Sequence, residues 1–91
     1  KTFVLGILAN QHNVNRIAVI AGKSVGNAVH RNLAKRRLRS AWSSFEEQAV
    51  PGYDLVLIAR KPLLEVPYSD LTSALHTLLT RAGLLRDQKF D

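Results

Sequence analysis

The sequence contains no cysteine and no long apolar run. Without Cys among its 91 residues, the chain cannot form disulfides, thiolate metal sites or thiol nucleophiles, and its composition fits a reducing compartment such as the cytoplasm. No apolar run approaches the roughly 18 residues that a membrane span requires. The opening "KTFVLGILAN" lacks a small-residue cleavage site and is interpreted as a strand rather than a signal peptide. The length predicts one domain over residues 1–91.

Acidic residues are missing from the first half of the chain. Residues 1–45 carry eight Lys or Arg and no Asp or Glu, whereas residues 46–91 carry five basic and seven acidic residues, within a net charge of +6. A protein that merely happens to be basic is expected to intersperse the two signs. The one-sided charge therefore predicts a polyanionic partner, and nucleic acid before any other.

Apolar runs separated by turn residues predict three strands. The first two, Thr2–Ala9 and Arg16–Ala21, are joined by turn-forming residues and are expected to pair as an antiparallel hairpin. The third, Tyr53–Arg60, is nearly continuously apolar and is expected to be buried on both faces.

Two helices complete the predicted order ββαβα. Asn27 is a candidate N-cap for a helix from Ala28 to about Glu47. Ser69 is a candidate cap for a second helix, whose apolar residues follow a helical period and which Gly83 would end. This order predicts an α+β domain with helices packed on a small sheet.

The segment "GKSVGNAVHRNLAKRRLR", residues 22–39, carries six basic residues and no acidic one. A helical projection separates an apolar stripe that would pack on the sheet from a flank of cations with no carboxylate nearby. Arginine can bind a phosphate through two N–H groups, and Asn offers both a donor and an acceptor to RNA. The candidate RNA-binding residues are Lys23, Asn27, Arg31, Asn32, Lys35, Arg36, Arg37 and Arg39.

A nucleotide-binding loop is the alternative for Gly22-Lys23-Ser24, which follows a predicted strand. That motif requires a glycine five residues before Gly22, so that a long loop can wrap the phosphates. Ile17 occupies that position, so the motif is incomplete. The three His residues are far apart and lack metal-ligand spacing. The sequence therefore predicts no catalytic residue and no metal ligand.

The same segment resembles a known family. The pattern Lys23-x-Val25-Gly26-Asn27-Ala28-Val29-x-Arg31-Asn32-x-x-Lys35-Arg36-x-x-Arg39 is similar to the signature of the bacterial ribonuclease P protein subunit. The later stretches "YDLVLIARKP" and "YSDLTSALHTLLTRAGLL" also look like that family's last strand and closing helix. The resemblance covers nearly the whole chain.

This resemblance implies a protein subunit that assists a catalytic RNA in removing the 5′ leader from precursor tRNA. In the family, the RNA and its magnesium ions perform the hydrolysis, and the protein alone is not expected to be catalytic or to hold the metal itself. The implied partners are ribonuclease P RNA and the leader, with a monomer in the holoenzyme. The implied fold is a two-layer α/β sandwich like domain 2 of ribosomal protein S5, with a small mixed sheet and a left-handed βαβ crossover.

The chain departs from the family pattern at three places. The family's central Arg-Asn-Arg corresponds to Arg31-Asn32-Leu33 in this chain, so one cation is lost, and Arg37 is expected to replace it in part. Gly6 stands where members commonly carry an aromatic for the leader, in a possible leader cleft formed by Val4, Gly6 and Arg60. Residues 1–91 are not expected to contain the family's opening helix and first strand.

A ribosomal or general RNA-binding protein is the main alternative function, and the sequence supports a membrane-surface helix or a standalone nuclease less well. A ribosomal or general RNA-binding protein would share the basic helix but would not need the Val-Gly-Asn-Ala-Val segment. A membrane-surface helix would require the apolar side around Trp42 and Phe45 to be free. A standalone nuclease would require an acidic or histidine cluster, which the sequence lacks.

Overall fold

The structure, a computed structural model, describes residues 2–86. It confirms the predicted order of elements, which are β1 (Phe3–Ala9), β2 (Arg16–Ala21), α1 (Ala28–Ser43), β3 (Tyr53–Ala59) and α2 (Tyr68–Arg81). The three strands form one mixed sheet in the order β1-β3-β2. The protein is therefore an α+β domain, as its sequence predicted.

The predicted hairpin between the first two strands is wrong. Strand β3 lies between them, pairing antiparallel with β1 and parallel with β2. The most apolar strand thus occupies the centre, where both of its edges are hydrogen-bonded. The loop after β1 follows this arrangement: Asn10 N–H donates to the Gly52 carbonyl (2.9 Å), and Gln11 adopts a φ of 63°. The loop therefore contacts the start of β3 instead of closing a tight turn.

Both helices cover the same face of the sheet, which makes two layers. The buried core combines alternate strand residues with one stripe of each helix. From the sheet come Phe3, Leu55, Leu57 and Ala59; from α1 come Ala34, Leu38, Ala41 and Trp42; and from α2 come Leu71, Leu75 and Leu79. On this face of β3, Leu55, Leu57 and Ala59 are buried, whereas Val56 and Ile58 on the other face are half-buried. The expectation of burial on both faces is therefore wrong.

Helix α1 ends four residues earlier than predicted. The Ser43 hydroxyl bonds back to the Arg39 carbonyl (3.1 Å), and Phe45 N–H bonds to the Trp42 carbonyl (2.9 Å), which tightens the last turn. A separate 3-10 helix, Glu46–Gln48, follows. Such competing local hydrogen bonds commonly end or bend a helix.

Helix α2 begins one residue earlier than predicted and is not capped by Ser69. Pro67 is the N-cap, and its carbonyl accepts from the N–H groups of Asp70 (3.0 Å) and Leu71 (3.2 Å). The predicted stop is confirmed: Gly83 has a φ of 74°, and Leu84 N–H donates to the Leu79 carbonyl (3.0 Å). Glycine suits this left-handed position because it has no Cβ.

Two short 3-10 helices meet at one end of the sheet. Lys23–Val25 follows β2, and Lys61–Glu65 follows β3. Because β2 and β3 are parallel, their carboxyl ends lie together, and the two 3-10 helices contact each other and α1. Val25 and Leu63 are buried at this junction.

Candidate nucleic-acid interface

The amino end of α1 is built as the sequence predicted. The Asn27 side-chain oxygen accepts from His30 N–H (3.0 Å), which satisfies one of the free donors of the first turn. Gly26 precedes this cap with a φ of 143°, and a Cβ built there would lie 2.9 Å from His30 Cβ. Gly26 is therefore required both by its backbone conformation and by close packing, while the Asn27 amide nitrogen remains available to a ligand.

The cations of α1 occupy one flank of the helix. At about 100° per residue, Arg31, Lys35 and Arg39 follow one another beside the buried stripe, and Asn32 and Arg36 extend the flank outward. Asn32, Arg36 and Arg39 are exposed, while Arg31 and Lys35 are half-buried. We call Arg31, Asn32, Lys35, Arg36 and Arg39 the cationic flank.

The basic groups of the cationic flank have no acidic partner within residues 2–86. The side chains of Arg31, Lys35, Arg36 and Arg39 form neither an ion pair nor a hydrogen bond there. Like charges one turn apart repel each other by a few tenths of a kcal/mol per pair. The arrangement therefore disfavours the isolated helix slightly and leaves its N–H donors free for an anionic ligand.

Arg37 is placed differently from the other candidate residues. It lies on the opposite flank of the buried stripe, half-buried. Its guanidinium donates to the carbonyls of Leu63 (3.2 Å) and Val66 (2.8 Å). The guanidinium carbon also lies 6.0 Å from the centre of the Tyr68 ring. Arg37 thus contacts the segment between β3 and α2, whereas the cationic flank faces elsewhere.

Lys23 and Arg60 lie at the same end of the sheet. The parallel register pairs Ala21 with Ala59, so the next residues of both strands leave the sheet side by side. Arg60 N–H still donates to the Thr2 carbonyl (2.8 Å), which continues the pairing by one residue. Both cations are exposed, so a positively charged edge stands beside the 3-10 junction at the amino end of α1.

The uncovered face of the sheet contains the predicted cleft residues. Val4 pairs with Ile58 and Gly6 pairs with Val56, and strand alternation places Arg60 on this same face. The central row, Gly6–Val56–Ala18, consists of small or branched residues. Towards the far end Leu8 is 69% exposed. None of the described strand residues on this open face is aromatic.

An ion pair closes the far end of the open face. Arg16 Nε and Nη2 donate to Asp54 Oδ1 (2.8 Å) and Oδ2 (2.9 Å), and Asn10 Nδ2 also donates to Oδ1 (2.8 Å). Hydrogen bonds from Arg16 and then Asn10 lower the pKa of the Asp54 carboxyl below its ordinary value. The sequence prediction missed this pair, because it had placed β2 beside β1. The pairing of β2 with β3 was the information it lacked.

Comparisons with known proteins agree with this geometry. A family model described as Ribonuclease P matches residues 1–83. A curated ribonuclease P protein component from Clostridium botulinum is 39% identical over 85 residues, covering 92% of this chain and 77% of the relative. One from Bacillus cereus is 36% identical over 90 residues, covering 98% and 78%.

The chain belongs to the ribonuclease P protein family.

Solved structures of ribonuclease P proteins share its fold. The protein from Staphylococcus aureus superposes with a TM-score of 0.79 at 26% identity, covering 93% of this chain and 78% of that one. The protein from Thermotoga maritima gives 0.79 at 28% identity, covering 89% and 77%. These matches confirm the family resemblance and the mixed sheet with two helices. The handedness of the β2–α1–β3 crossover stays a prediction.

Residues 2–86 contain neither a metal-binding cluster nor a membrane-spanning helix. Across residues 2–86, no three His, Asp or Glu side chains gather where they could hold a metal ion. None of the helices in that range is long and apolar enough to cross a bilayer.

The apolar side chains at the end of α1 are covered by the rest of the protein. Trp42 is buried in the core, and Phe45 is half-buried and packs against that core. The apolar side of α1 is therefore not free to lie on a membrane surface, as that alternative required.

Proposed function

We propose that this protein is the RNA-binding subunit of ribonuclease P, and that it assists the catalytic RNA in removing the 5′ leader of precursor tRNA. The cationic flank binds phosphates of the ribonuclease P RNA. Lys23, Asn27 and Arg60 extend this surface to the end of the open sheet face. The leader lies along that face. The observation that carries the proposal is the set of cations on α1 without acidic partners in residues 2–86.

Charge and hydrogen-bonding geometry support the assignment of the cationic flank to RNA. Arg31, Arg36 and Arg39 can each donate two N–H groups to one phosphate, while Lys35 acts as a point charge. Asn32 is exposed and can pair with a 2′-hydroxyl or a base edge. Phosphate contacts fix position without reading sequence. The flank therefore supplies affinity for RNA, and the rest of the surface determines which RNA is held.

The open face binds the leader more weakly than a face with aromatic rings would. A single strand is best held by stacking its bases on aromatic rings beside a cationic groove. Here Gly6 and Val4 offer no ring to a base, and the cations Lys23 and Arg60 stand only at one end. The leader is therefore held through its sugar–phosphate chain, with little preference for its sequence.

In this proposal, magnesium stays with the RNA and the protein does not cleave RNA alone. The charged groups of the cationic flank are nitrogen cations, which repel magnesium, whereas magnesium prefers oxygen ligands such as carboxylates. The nearest acidic residues along the chain, Glu46 and Glu47, lie beyond the end of α1. The protein's contribution is to reduce the repulsion between the leader and the catalytic RNA, both of which are polyanions. The subunit acts as a monomer.

Equilibrium titration tests this function directly. The protein is titrated with a bacterial ribonuclease P RNA, with precursor tRNA, and with an unrelated RNA duplex that has about the same number of nucleotides as the precursor tRNA. All three titrations use one fixed salt concentration. We expect the tightest binding to the ribonuclease P RNA. Equal affinity for all three RNAs would contradict the proposal and would support the alternative of a general or ribosomal RNA-binding protein.

A further inference from the structure

Arg37 joins α1 to the segment that follows β3. Its two hydrogen bonds end on the carbonyls of Leu63 and Val66, which bracket the last turn of the 3-10 helix Lys61–Glu65. Carbonyls at the end of a short helix lack partners within that helix. A planar guanidinium can serve two of them at once, because its donors have a fixed fork geometry. The Arg37 side chain therefore completes the hydrogen bonding of this segment.

The orientation of Arg37 is itself fixed by its neighbours. Its guanidinium lies near the Tyr68 ring, and the Tyr68 hydroxyl is 2.8 Å from the Ser40 hydroxyl one helical turn further along α1. Cations within about 6 Å of an aromatic ring are attracted to its face. The Arg37 guanidinium thus contacts two carbonyls and the Tyr68 ring, whereas the neighbouring Arg36 is exposed.

A continuous path of hydrogen bonds leads from Arg37 to Arg60, at one end of the open face. Arg37 binds the Leu63 carbonyl, and Leu63 N–H donates to the Arg60 carbonyl (2.9 Å). The Leu63 side chain is completely buried, which fixes the midpoint of this path. On the other side, Arg60 N–H donates to Thr2. Arg60 is therefore held in place between β1 and a 3-10 helix that Arg37 fastens to α1.

We propose that Arg37 is a positioning residue that holds Arg60 at the end of the open face, and that it does not contact RNA phosphates. This inference rests on the proposed function, since it assigns Arg60 to the leader. It departs from the expectation, drawn from the sequence, that Arg37 replaces the cation missing at Leu33. The cation that the family carries at the position of Leu33 is then not replaced. The cationic flank binds RNA with one contact fewer than in family members that have this cation.

Salt dependence separates a positioning residue from a phosphate contact. For each contact with a single strand, the slope of log affinity against log salt changes by about 0.7. Direct binding of the full chain is measured for precursor tRNA with a single-stranded leader, for the same tRNA without it, and for a bacterial ribonuclease P RNA. The variants are Arg37→Met, Arg37→Lys and, as the matched comparison on the other flank, Arg36→Met. Thermal melting confirms that each variant is folded at the assay temperature.

We expect Arg36→Met to reduce the slope by about 0.7–0.9 with the ribonuclease P RNA. Arg37→Met should leave the slope for leaderless tRNA unchanged and reduce the slope for leader-bearing tRNA by about 0.7, the contact of Arg60. Arg37→Lys should behave like Arg37→Met, because lysine keeps the charge but lacks the planar fork of donors that spans the two carbonyls. In an Arg60→Ala background, neither substitution at position 37 should change either slope further.

Two results would overturn the inference while leaving the proposed function intact. One is a reduced slope with leaderless tRNA in Arg37→Met, which would make Arg37 a direct contact. The other is an unchanged effect of Arg37→Met in the Arg60→Ala background, which would show that it does not act through Arg60. An unchanged slope in Arg36→Met with the ribonuclease P RNA would instead contradict the proposed function itself.

Discussion

Arg16 and Asp54 are register partners in the parallel β2–β3 ladder, and both carboxylate oxygens accept from the guanidinium at 2.8 and 2.9 Å. The pair joins a cation from the uniformly basic half of the chain to an acid from the second half. It links β2 to β3, its partner in the ladder. It also removes Arg16 from the cations available to RNA, whereas the cationic flank of α1 keeps its charges without partners in residues 2–86.

This ion pair predicts a loss of stability in acid. The folded pKa of Asp54 lies below its unfolded value of about 3.9, so its stabilising contribution is complete above that pH and is lost as pH falls through the lower folded pKa. In melting experiments, the wild type should therefore lose Tm more steeply than Asp54→Asn below about pH 4, and the two curves should differ by a constant above about pH 5. Parallel curves over the whole range would show that the pair contributes nothing measurable.

The cationic flank predicts a defined salt dependence. Lys35→Ala should weaken binding to unrelated RNA duplexes by similar factors and reduce the slope of log affinity against log salt by about 0.9. Arg31→Ala, Arg36→Ala and Arg39→Ala should each act in the same direction. Arg81→Ala is the matched control, because Arg81 is an exposed cation at the end of α2. If the slope is the same in all four flank variants as in the wild type, the flank is only a solvated surface.

The cap at Asn27 can be separated from its proposed contact with RNA. Asn27→Ala removes the acceptor for His30 N–H and should lower the free energy of unfolding by about 1 kcal/mol in urea denaturation. Asn27→Ser keeps a capping oxygen and should retain most of the stability. It loses the side-chain amide nitrogen that is proposed to contact RNA. RNA affinity should therefore fall in the Ser variant at nearly unchanged stability. Equal stability of the Ala and Ser variants would show that the cap does not stabilise the helix.

Gly6 provides a test of the leader surface. A Cβ at Gly6 would lie 3.8 Å from Val56 Cβ, an ordinary contact, so a larger residue fits on the open face. Gly6→Tyr should strengthen binding of the reconstituted enzyme to leader-bearing substrate by about 1 kcal/mol, through base stacking, and leave affinity for mature tRNA unchanged. Gly6→Val is the control that adds bulk without a ring. Equal effects of Gly6→Tyr on both substrates would place the leader elsewhere.

Local chemistry made part of this structure predictable. The Asn27 cap, the Gly83 stop and the buried stripe of α1 follow from residues a few positions apart, and all three are confirmed. The alternation of side chains along β1 likewise places Val4 and Gly6 on one face of the sheet. These features depend on the period of a single element, which the sequence displays directly.

Pairing between distant segments was not predictable in the same way. A period of two tells which face of a strand is buried but not which strand lies beside it, so β2 was assigned to β1 when its partner is β3. The role of Arg37 depends on carbonyls of Leu63 and Val66, 26 and 29 residues away. Charge alone could only group Arg37 with the other cations.

The magnesium dependence of the reconstituted enzyme tests the central claim most directly. Cleavage of precursor tRNA by a bacterial ribonuclease P RNA is measured over a magnesium titration, with and without this protein, beside a sample of the protein alone. We predict no cleavage by the protein alone, slow cleavage by the RNA at high magnesium, and a lower magnesium requirement when both are present, because the protein's cations relieve the repulsion between the two RNAs. An unchanged magnesium requirement in the presence of folded, RNA-bound protein would contradict the account.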